Sequence, residues 1–169
     1  YAQDDKPVVY VEYFTRPANV EATLAEALRS KAIQGIQETN RVKLVDVASQ
    51  SGLNGEEERR KAESAMGDAT ARTAEMKTLG ANYIITGEIV SMNATERKDD
   101  KGKISYKGSV HWSMKVIDAA TGTLKTTKSF AHEGLTGSSG DSPSAAIAAT
   151  CDYAKHAMDD FIDDTFPIE

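Results

Sequence analysis

An unbroken alternation of residue types between Ile104 and Val116 constrains the fold of this chain more than any other feature. Successive side chains of a β-strand point to opposite faces of the sheet, so the alternation predicts a long strand with one face in the core and one in water. Trp112 is expected to anchor the core face. The odd positions carry serine, lysine and histidine, and the even positions carry Ile104, Tyr106, Gly108, Val110, Trp112, Met114 and Val116.

The segments around this strand predict a mixture of strands and helices. Apolar runs predict strands at 8–14, 42–47, 83 to about 95 and 123–132, and periodic apolar residues predict helices at about 20–40, 56–79 and from 142 onward. We expect Asn19 to cap the first helix. The order β-α-β-α-β-β-β-α indicates an α/β (α+β) fold, a mixed sheet of about five strands with helices packed on it.

Composition indicates a globular protein and excludes some functions. Of the 169 residues, 40% are apolar and 27% charged, and the net charge of −6 argues against a surface that binds nucleic acid. The sequence has no run of about 18 apolar residues, the length of a membrane-spanning helix. Its single cysteine, Cys151, cannot form an internal disulfide. We expect residues 8–166 to form one domain after an N-terminal tail at residues 1–7.

The first residues favour export from the cytoplasm. The junction Tyr1-Ala2-Gln3 resembles the end of a signal-peptidase site, with cleavage after Ala2 and a polar start of the mature protein. The tail at residues 1–7 is therefore interpreted as a remnant of a signal peptide. We expect a periplasmic or otherwise exported protein, with association with the outer membrane left open.

Three segments, in order along the chain, carry a resemblance to a known family. They are VVYVEYF from Val8, LGANYIITGEIV from Leu79 and MKVIDAATGTLKTTKSF from Met114. Together they resemble the CsgG-like family, named for the curli production assembly/transport component, and the related penicillin-binding-protein activator LpoB. The resemblance covers residues 8 to about 164. It implies an envelope protein without enzymatic activity that acts through a protein partner, with self-association left open.

The predicted hairpin between Ser91 and Lys107 differs from the membrane-inserted hairpins of curli channels. It carries the mixed charges of residues 96–101, which are costly to place against lipid, so we expect this hairpin to lie in water. Its tip, Asp99–Lys103, is predicted either to recognise a partner or to be a simple connection. Gly87, in the middle of the preceding strand, is expected to let a helix lie close to the sheet or to let the strand bend.

Two pairs of residues are candidates for catalytic groups. Glu12 and Glu88 interrupt apolar strands and could form a carboxylate pair for acid–base chemistry, although residues at strand ends more often face water. Cys151 and His156 are five helical positions apart and therefore point to different faces, and Cys151 is expected to be buried and inert. The three histidines, His111, His132 and His156, lack the spacing of metal ligands.

The loop at residues 134–142 resembles an anion-binding loop, because glycines and hydroxyls precede the start of a helix. It lacks the lysine of a phosphate-binding P-loop, and Asp141 would repel a phosphate. We predict no catalytic, cofactor-binding or metal-binding residues. The sequence favours a non-enzymatic protein-interaction module of the bacterial envelope, and the alternative is a module that binds a small ligand or peptide through this loop and the helix start after it.

Overall fold

The computed structural model describes residues 6–46, 80–134, 139–140 and 142–166. Most of the predicted order is confirmed, but the predicted helix at 56–79 lies outside the described residues. The last predicted helix is divided in two, and a two-residue strand precedes it. The elements are β1 (Val8–Val11), α1 (Ala22–Thr39), β2 (Lys43–Asp46), β3 (Tyr83–Lys98), β4 (Ile104–Asp118), β5 (Leu124–Glu133), β6 (Ser139–Gly140), α2 (Pro143–Thr150) and α3 (Tyr153–Thr165).

The five main strands form one mixed sheet, as the sequence predicted. Their order across the sheet is β2-β1-β3-β4-β5. The sixth strand, β6, is not part of this order and pairs with β4. Strand β1 is parallel to both β2 and β3, whereas β3, β4 and β5 form an antiparallel meander. The fold is therefore α+β, with the long β3–β4 pair at its centre.

The main core lies between one face of the sheet and the three described helices. It contains alternate residues of the strands together with Leu28 of α1, Ile147 of α2 and Phe161 of α3. A smaller apolar cluster on the other face contains Tyr10 and Ile84. Strand β1 is therefore buried on both faces, as its continuous apolar sequence predicted.

Strand β4 has the predicted two faces from Gly108 to Val116, whereas Ile104, which was predicted to lie on the core face, is exposed because the strand extends beyond the core there. Val110, Trp112, Met114 and Val116 are buried, whereas His111 and Lys115, which alternate with them, are exposed. Trp112 is only 1% exposed and stacks on Phe130 of β5, with ring centroids 4.9 Å apart. The expectation that Trp112 anchors the core face of this strand is confirmed.

The first predicted strand ends earlier than expected, because the chain forms a bulge. Val11 pairs with Ile85 of β3, but the next contact joins Thr15 to Glu88. Four steps along this chain therefore match three steps along β3, which is the signature of one inserted residue. The bulge turns the ring of Phe14 into the main core.

Helix α1 presents the predicted apolar stripe to the core but begins later than predicted. Leu28, Ala32 and Ile36 are fully buried. The residue at the N-cap position is Glu21, without a capping side-chain hydrogen bond, so the prediction of Asn19 as the cap is wrong. The chain reaches the helix through a turn in which the Val20 amide donates to the Pro17 carbonyl, and this turn places Asn19 before the first helical residue.

Candidate interaction site

The β3–β4 hairpin extends beyond the strands on either side of it. It is paired without interruption of the ladder from Ser91 opposite His111 to Lys98 opposite Ile104. Pairing of β3 with the first segment ends at the Thr15–Glu88 bridge, and pairing of β4 with β5 ends at Ser109. We call residues 90–108 the projecting hairpin. Near its base, the short strand β6 pairs with Tyr106 and Lys107 of this hairpin.

The tip of the projecting hairpin is a hydrogen-bonded turn. The carboxylate of Asp99 accepts hydrogen bonds from the amides of Lys101 and Lys103, at 2.9 and 2.8 Å. The Asp99 amide donates to the Lys103 carbonyl at 3.0 Å, and Gly102 supplies the left-handed conformation with φ of 82°. An aspartate that bonds to amides two and four residues further on is a common way to order a turn. The predicted position of the turn is confirmed.

One face of the projecting hairpin is held by helix α2. A Cβ atom at Gly108 would lie 2.4 Å from the Thr150 hydroxyl oxygen and 2.5 Å from the Ala146 carbonyl oxygen. Helix α2 therefore contacts the backbone of β4 directly at Gly108, a distance that only a residue without a side chain permits. The Gly108 carbonyl in turn accepts a hydrogen bond from the Gly134 amide at 2.7 Å.

The opposite face of the hairpin carries a cavity of about 370 Å³, which we call the hairpin groove. Thr95 is paired with Lys107 across β3 and β4, and Ser109 is paired with Glu133 across β4 and β5. These positions are odd-numbered on each strand, so their side chains share the face that the core does not use. The groove is lined by Thr95, Arg97, Lys107, Gly108, Ser109 and Glu133.

The hairpin groove has more positive than negative charge. Arg97 and Lys107 are cationic, and Glu133 is the one acidic residue among those that line it. The ammonium of Lys107 lies 3.6 Å from a carboxylate oxygen of Glu133, a loose ion pair whose acidic partner is 76% exposed. Arg97 is exposed and forms no ion pair with another described residue. Sequence reasoning missed this groove, because its residues come from three strands.

The carboxylates of Glu12 and Glu88 lie in different environments. Glu12 is buried in the bulge, where its amide donates to the Ile85 carbonyl at 2.8 Å and its carboxylate accepts from the Tyr13 amide at 3.0 Å. Glu88 is exposed on β3, opposite Ser113. The two residues therefore differ strongly in solvation, and the Glu12 carboxylate serves the local structure of the bulge.

A buried arginine next to this bulge was not predicted. Arg29 of α1 is 1% exposed, and its guanidinium donates to the carbonyls of Val11 and Glu12 at 2.9 and 3.1 Å. It also pairs with Glu26 at 2.7 Å and lies 4.4 Å from the centre of the Tyr13 ring. Arg29 thus supplies hydrogen bonds to carbonyls at the end of β1. Its position four residues after Ala25, on the apolar stripe of α1, was the signal available in the sequence.

Cys151 is a buried thiol, as predicted. It is 1% exposed, and burial raises the pKa of its thiol to about 12, with the negative charge of Asp152 as a smaller cause. His156 is exposed, so the two side chains do not form a thiol–base pair. Within the described ranges, no group of three His, Cys, Asp or Glu residues is placed to hold a metal ion.

The histidines on the strands have separate surroundings. His111 is exposed on the outer face of β4. The ring of His132 stacks on Tyr153, with centroids 4.0 Å apart and an angle of 5° between the planes. His111 therefore belongs to the solvent face of its strand, and His132 contributes a packing contact between β5 and α3.

Only part of the predicted anion-binding loop is described. Residues 135–138 and 141 lie outside the described residues. At the start of α2, the Ser142 hydroxyl accepts from the Ala145 amide at 3.1 Å, and Pro143 occupies the first turn. The capping serine therefore satisfies one of the N–H groups that an anion would use.

Comparison with solved structures places this fold among known bacterial proteins. The chain is similar to the hypothetical protein CT253 from Chlamydia trachomatis, with 13% identity, 95% of this chain and 97% of that chain covered, and a TM-score of 0.56. Lipoprotein GNA1162 from Neisseria meningitidis has 8% identity, 77% and 84% coverage, and a TM-score of 0.55. The PelC dodecamer from Paraburkholderia phytofirmans has 12% identity, 91% and 87% coverage, and a TM-score of 0.53. At these identities the similarity shows a shared fold.

Comparison with sequences adds a family match. Residues 21–125, more than half of the chain, match the model of the family described as peptidoglycan-synthase activator LpoB. No curated protein sequence matches the chain. The matched range begins after β1. It includes α1, β2, β3 and the whole of the projecting hairpin. None of the helices in the described part of the chain is long and apolar enough to cross a membrane.

Proposed function

Because this chain belongs to the LpoB family of peptidoglycan-synthase activators, we propose that it acts in the bacterial envelope by contact with a peptidoglycan synthase and without catalysis of its own. In this proposal the protein is exported to the periplasm, and residues 8–166 act as one domain. The synthase is the protein partner, and the projecting hairpin is the element that contacts it. The resemblance of three sequence segments to the same family supports the assignment independently of the structure.

The observation that carries the proposal is the ordered projecting hairpin. Ordering a residue costs about 1–2 kcal/mol of backbone entropy, so a paired extension needs a compensating gain. The outer part of the hairpin, from Thr95 to Ile104, is exposed throughout and buries no apolar side chain. Its strand pairing nevertheless continues as far as Lys98 opposite Ile104, and the Asp99 turn closes it with hydrogen bonds. A rigid element that projects from the core is well suited to recognition of another protein.

The state of the candidate catalytic groups supports a role without catalysis. Cys151 is buried with a raised pKa, and the Glu12 carboxylate is bonded within the bulge. Catalysis needs a reactive group and a base within hydrogen-bond reach of each other and of a substrate. The surroundings of Cys151 and Glu12 therefore favour a role in protein binding over a role in catalysis.

The proposal is tested by shortening the tip of the projecting hairpin. Asp99–Lys103 is replaced by Asn-Gly, a two-residue turn that suits paired strands such as those ending at Lys98 and Ile104. We expect this variant to bind the synthase of the same organism more weakly and to stimulate its glycan polymerisation less, while the thermal midpoint changes little. The double substitution Ala120→Gly and Thr121→Gly, in the exposed loop between β4 and β5, serves as the matched control.

Two results would contradict the proposal at different levels. If the unmodified protein neither binds nor stimulates the synthase, the proposed function is wrong. If the shortened variant stimulates the synthase as well as the unmodified protein does, the hairpin tip is only a connection and the contact lies elsewhere on the domain.

Self-association stays a separate prediction. The PelC structure that shares this fold is described as a dodecamer. Light scattering of the purified protein, at several concentrations, would measure whether this chain also forms an oligomer. A monomer mass at every concentration would contradict self-association. It would not affect the proposal that the protein binds a synthase.

A further inference from the structure

The projecting hairpin is basic, although the whole protein is acidic. Between residues 90 and 108 the sequence has five basic and three acidic residues, in a chain with a net charge of −6. Most residues that line the hairpin groove belong to this hairpin, and the charged ones are Arg97, Lys107 and Glu133, two cations and one anion. A surface of this sign would attract an acidic group and orient it during the encounter.

The groups that line the groove match the chemistry of a carboxylate. The guanidinium of Arg97 has a planar set of donors that can bind both oxygens of a carboxylate at once. The ammonium of Lys107 and the hydroxyls of Thr95 and Ser109 are further donors on the same face. The volume of about 370 Å³ is close to the lower end of ligand pockets, enough for a side chain or two.

We propose that the hairpin groove binds an aspartate or glutamate side chain of the protein partner, with Arg97 and Lys107 as the carboxylate-binding residues. The guanidinium of Arg97 also suits a phosphate, so inorganic phosphate is the competing ligand in the test. The carboxylate of Glu133 already lies 3.6 Å from the ammonium of Lys107, so an incoming carboxylate must compete with Glu133 for this ammonium. This inference rests on the proposed function, because it assumes that the occupant belongs to a protein.

The carboxylate site is tested first with a defined probe. A tetraglutamate peptide blocked at both ends is titrated into the isotope-labelled protein, and a tetraglutamine peptide serves as the neutral control. We expect tetraglutamate to shift the amide resonances of residues 95–97 and 107–109, and binding to weaken as salt is raised. Inorganic phosphate is titrated in parallel. Shifts with phosphate but not with tetraglutamate, or no shifts at these residues, would overturn the proposal.

Substitutions of opposite sign then separate charge recognition from misfolding. Arg97→Gln should weaken tetraglutamate binding at least about threefold, whereas Glu133→Gln should strengthen it by a similar factor, as expected for one exposed charge interaction. Lys98→Gln is the matched control, because Lys98 is the next residue on β3, is also exposed, and does not line the groove. Equal effects of Arg97→Gln and Lys98→Gln would contradict a specific site.

Measurements with the synthase distinguish this inference from the proposed function. The inference predicts that Arg97→Gln weakens synthase binding and that Glu133→Gln strengthens it. If both variants bind and stimulate the synthase like the unmodified protein, the groove proposal fails while the proposed function stands. If the unmodified protein does not bind the synthase but tetraglutamate binds as expected, the proposed function fails and the groove remains a carboxylate site.

Discussion

The ring of Phe14 lies against the backbone of Gly87, so that a Cβ atom at position 87 would be 2.6 Å from the ring carbons Cδ1 and Cε1. Phe14 reaches this position because of the one-residue bulge between Val11 and Thr15. The sequence led us to expect that Gly87 would admit a helix or permit a bend. Gly87 instead makes room for an aromatic ring of the neighbouring segment, and the interruption in β3 itself falls later, between Ile89 and Ser91.

Substitution of Gly87 by alanine should therefore destabilise the protein. We expect a loss of about 1–3 kcal/mol in the free energy of unfolding, because the added methyl group overpacks a core in which Phe14 is buried. Urea denaturation measures this loss. The double variant Gly87→Ala and Phe14→Leu should lose less than the sum of the two single changes. Simple additivity would show that the clash with Phe14 is not the cause.

Truncation of Trp112 should be among the most damaging changes in the sheet. Trp112→Ala is expected to cost about 3–5 kcal/mol, the range for a buried aromatic residue. Trp112→Phe should cost less, because the indole N–H has no hydrogen-bond partner among the described residues and its removal loses no bond. His111→Ala, on the exposed face of the same strand, is the control and should cost less than about 0.5 kcal/mol. Similar losses for Trp112→Ala and His111→Ala would contradict the assignment of faces.

Removal of the buried arginine should destabilise the end of β1. Arg29→Ala leaves the carbonyls of Val11 and Glu12 without these donors inside the protein, and we expect a loss of about 1–3 kcal/mol, the cost of a buried polar group left without its partner. Lys31→Ala is the control: its ammonium pairs with Asp152 at 3.0 Å on the surface, where such pairs contribute about 0–1 kcal/mol. Thermal or urea denaturation measures both. Equal effects of the two substitutions would show that Arg29 is dispensable for the bulge.

The thiol of Cys151 should be unreactive in the folded protein. Its pKa is raised to about 12, so at pH 8 it stays protonated and should react slowly with iodoacetamide until guanidinium unfolds the chain. Rapid alkylation of the native protein would contradict the buried position.

The same raised pKa makes stability depend on pH in the alkaline range. The contribution of the neutral thiol is complete below the ordinary thiol pKa of about 8.5 and decreases as pH rises towards 12, since the unfolded state loses its proton first. Burial also raises the pKa of Tyr10, which adds a loss of the same sign. Cys151→Ala keeps Tyr10, so the difference between the two proteins isolates the thiol. A difference that does not vary between pH 8 and pH 11 would contradict this assignment.

Local patterns in the sequence determined much of the secondary structure. The alternation along β4 follows from the two-residue period of a strand, and the buried stripe of Leu28, Ala32 and Ile36 follows from the helical period. Asp99 and Gly102 determined the position of the turn at the hairpin tip. The hydrogen bonds and backbone conformation of a turn involve only residues that are close together in the chain. Such features need no knowledge of distant residues.

The bulge, Arg29 and the hairpin groove were decided by the tertiary structure. Phe14 meets Gly87 only through the register between β1 and β3, and Arg29 reaches the carbonyls of β1 only when α1 packs on the sheet. The groove brings Arg97 and Glu133 together from strands that are separated by a third. Periodicity tells which face of an element is buried, but not which residues of other elements it meets. Those contacts depend on strand register and on the close approach of helix and sheet, which are settled when the whole core packs.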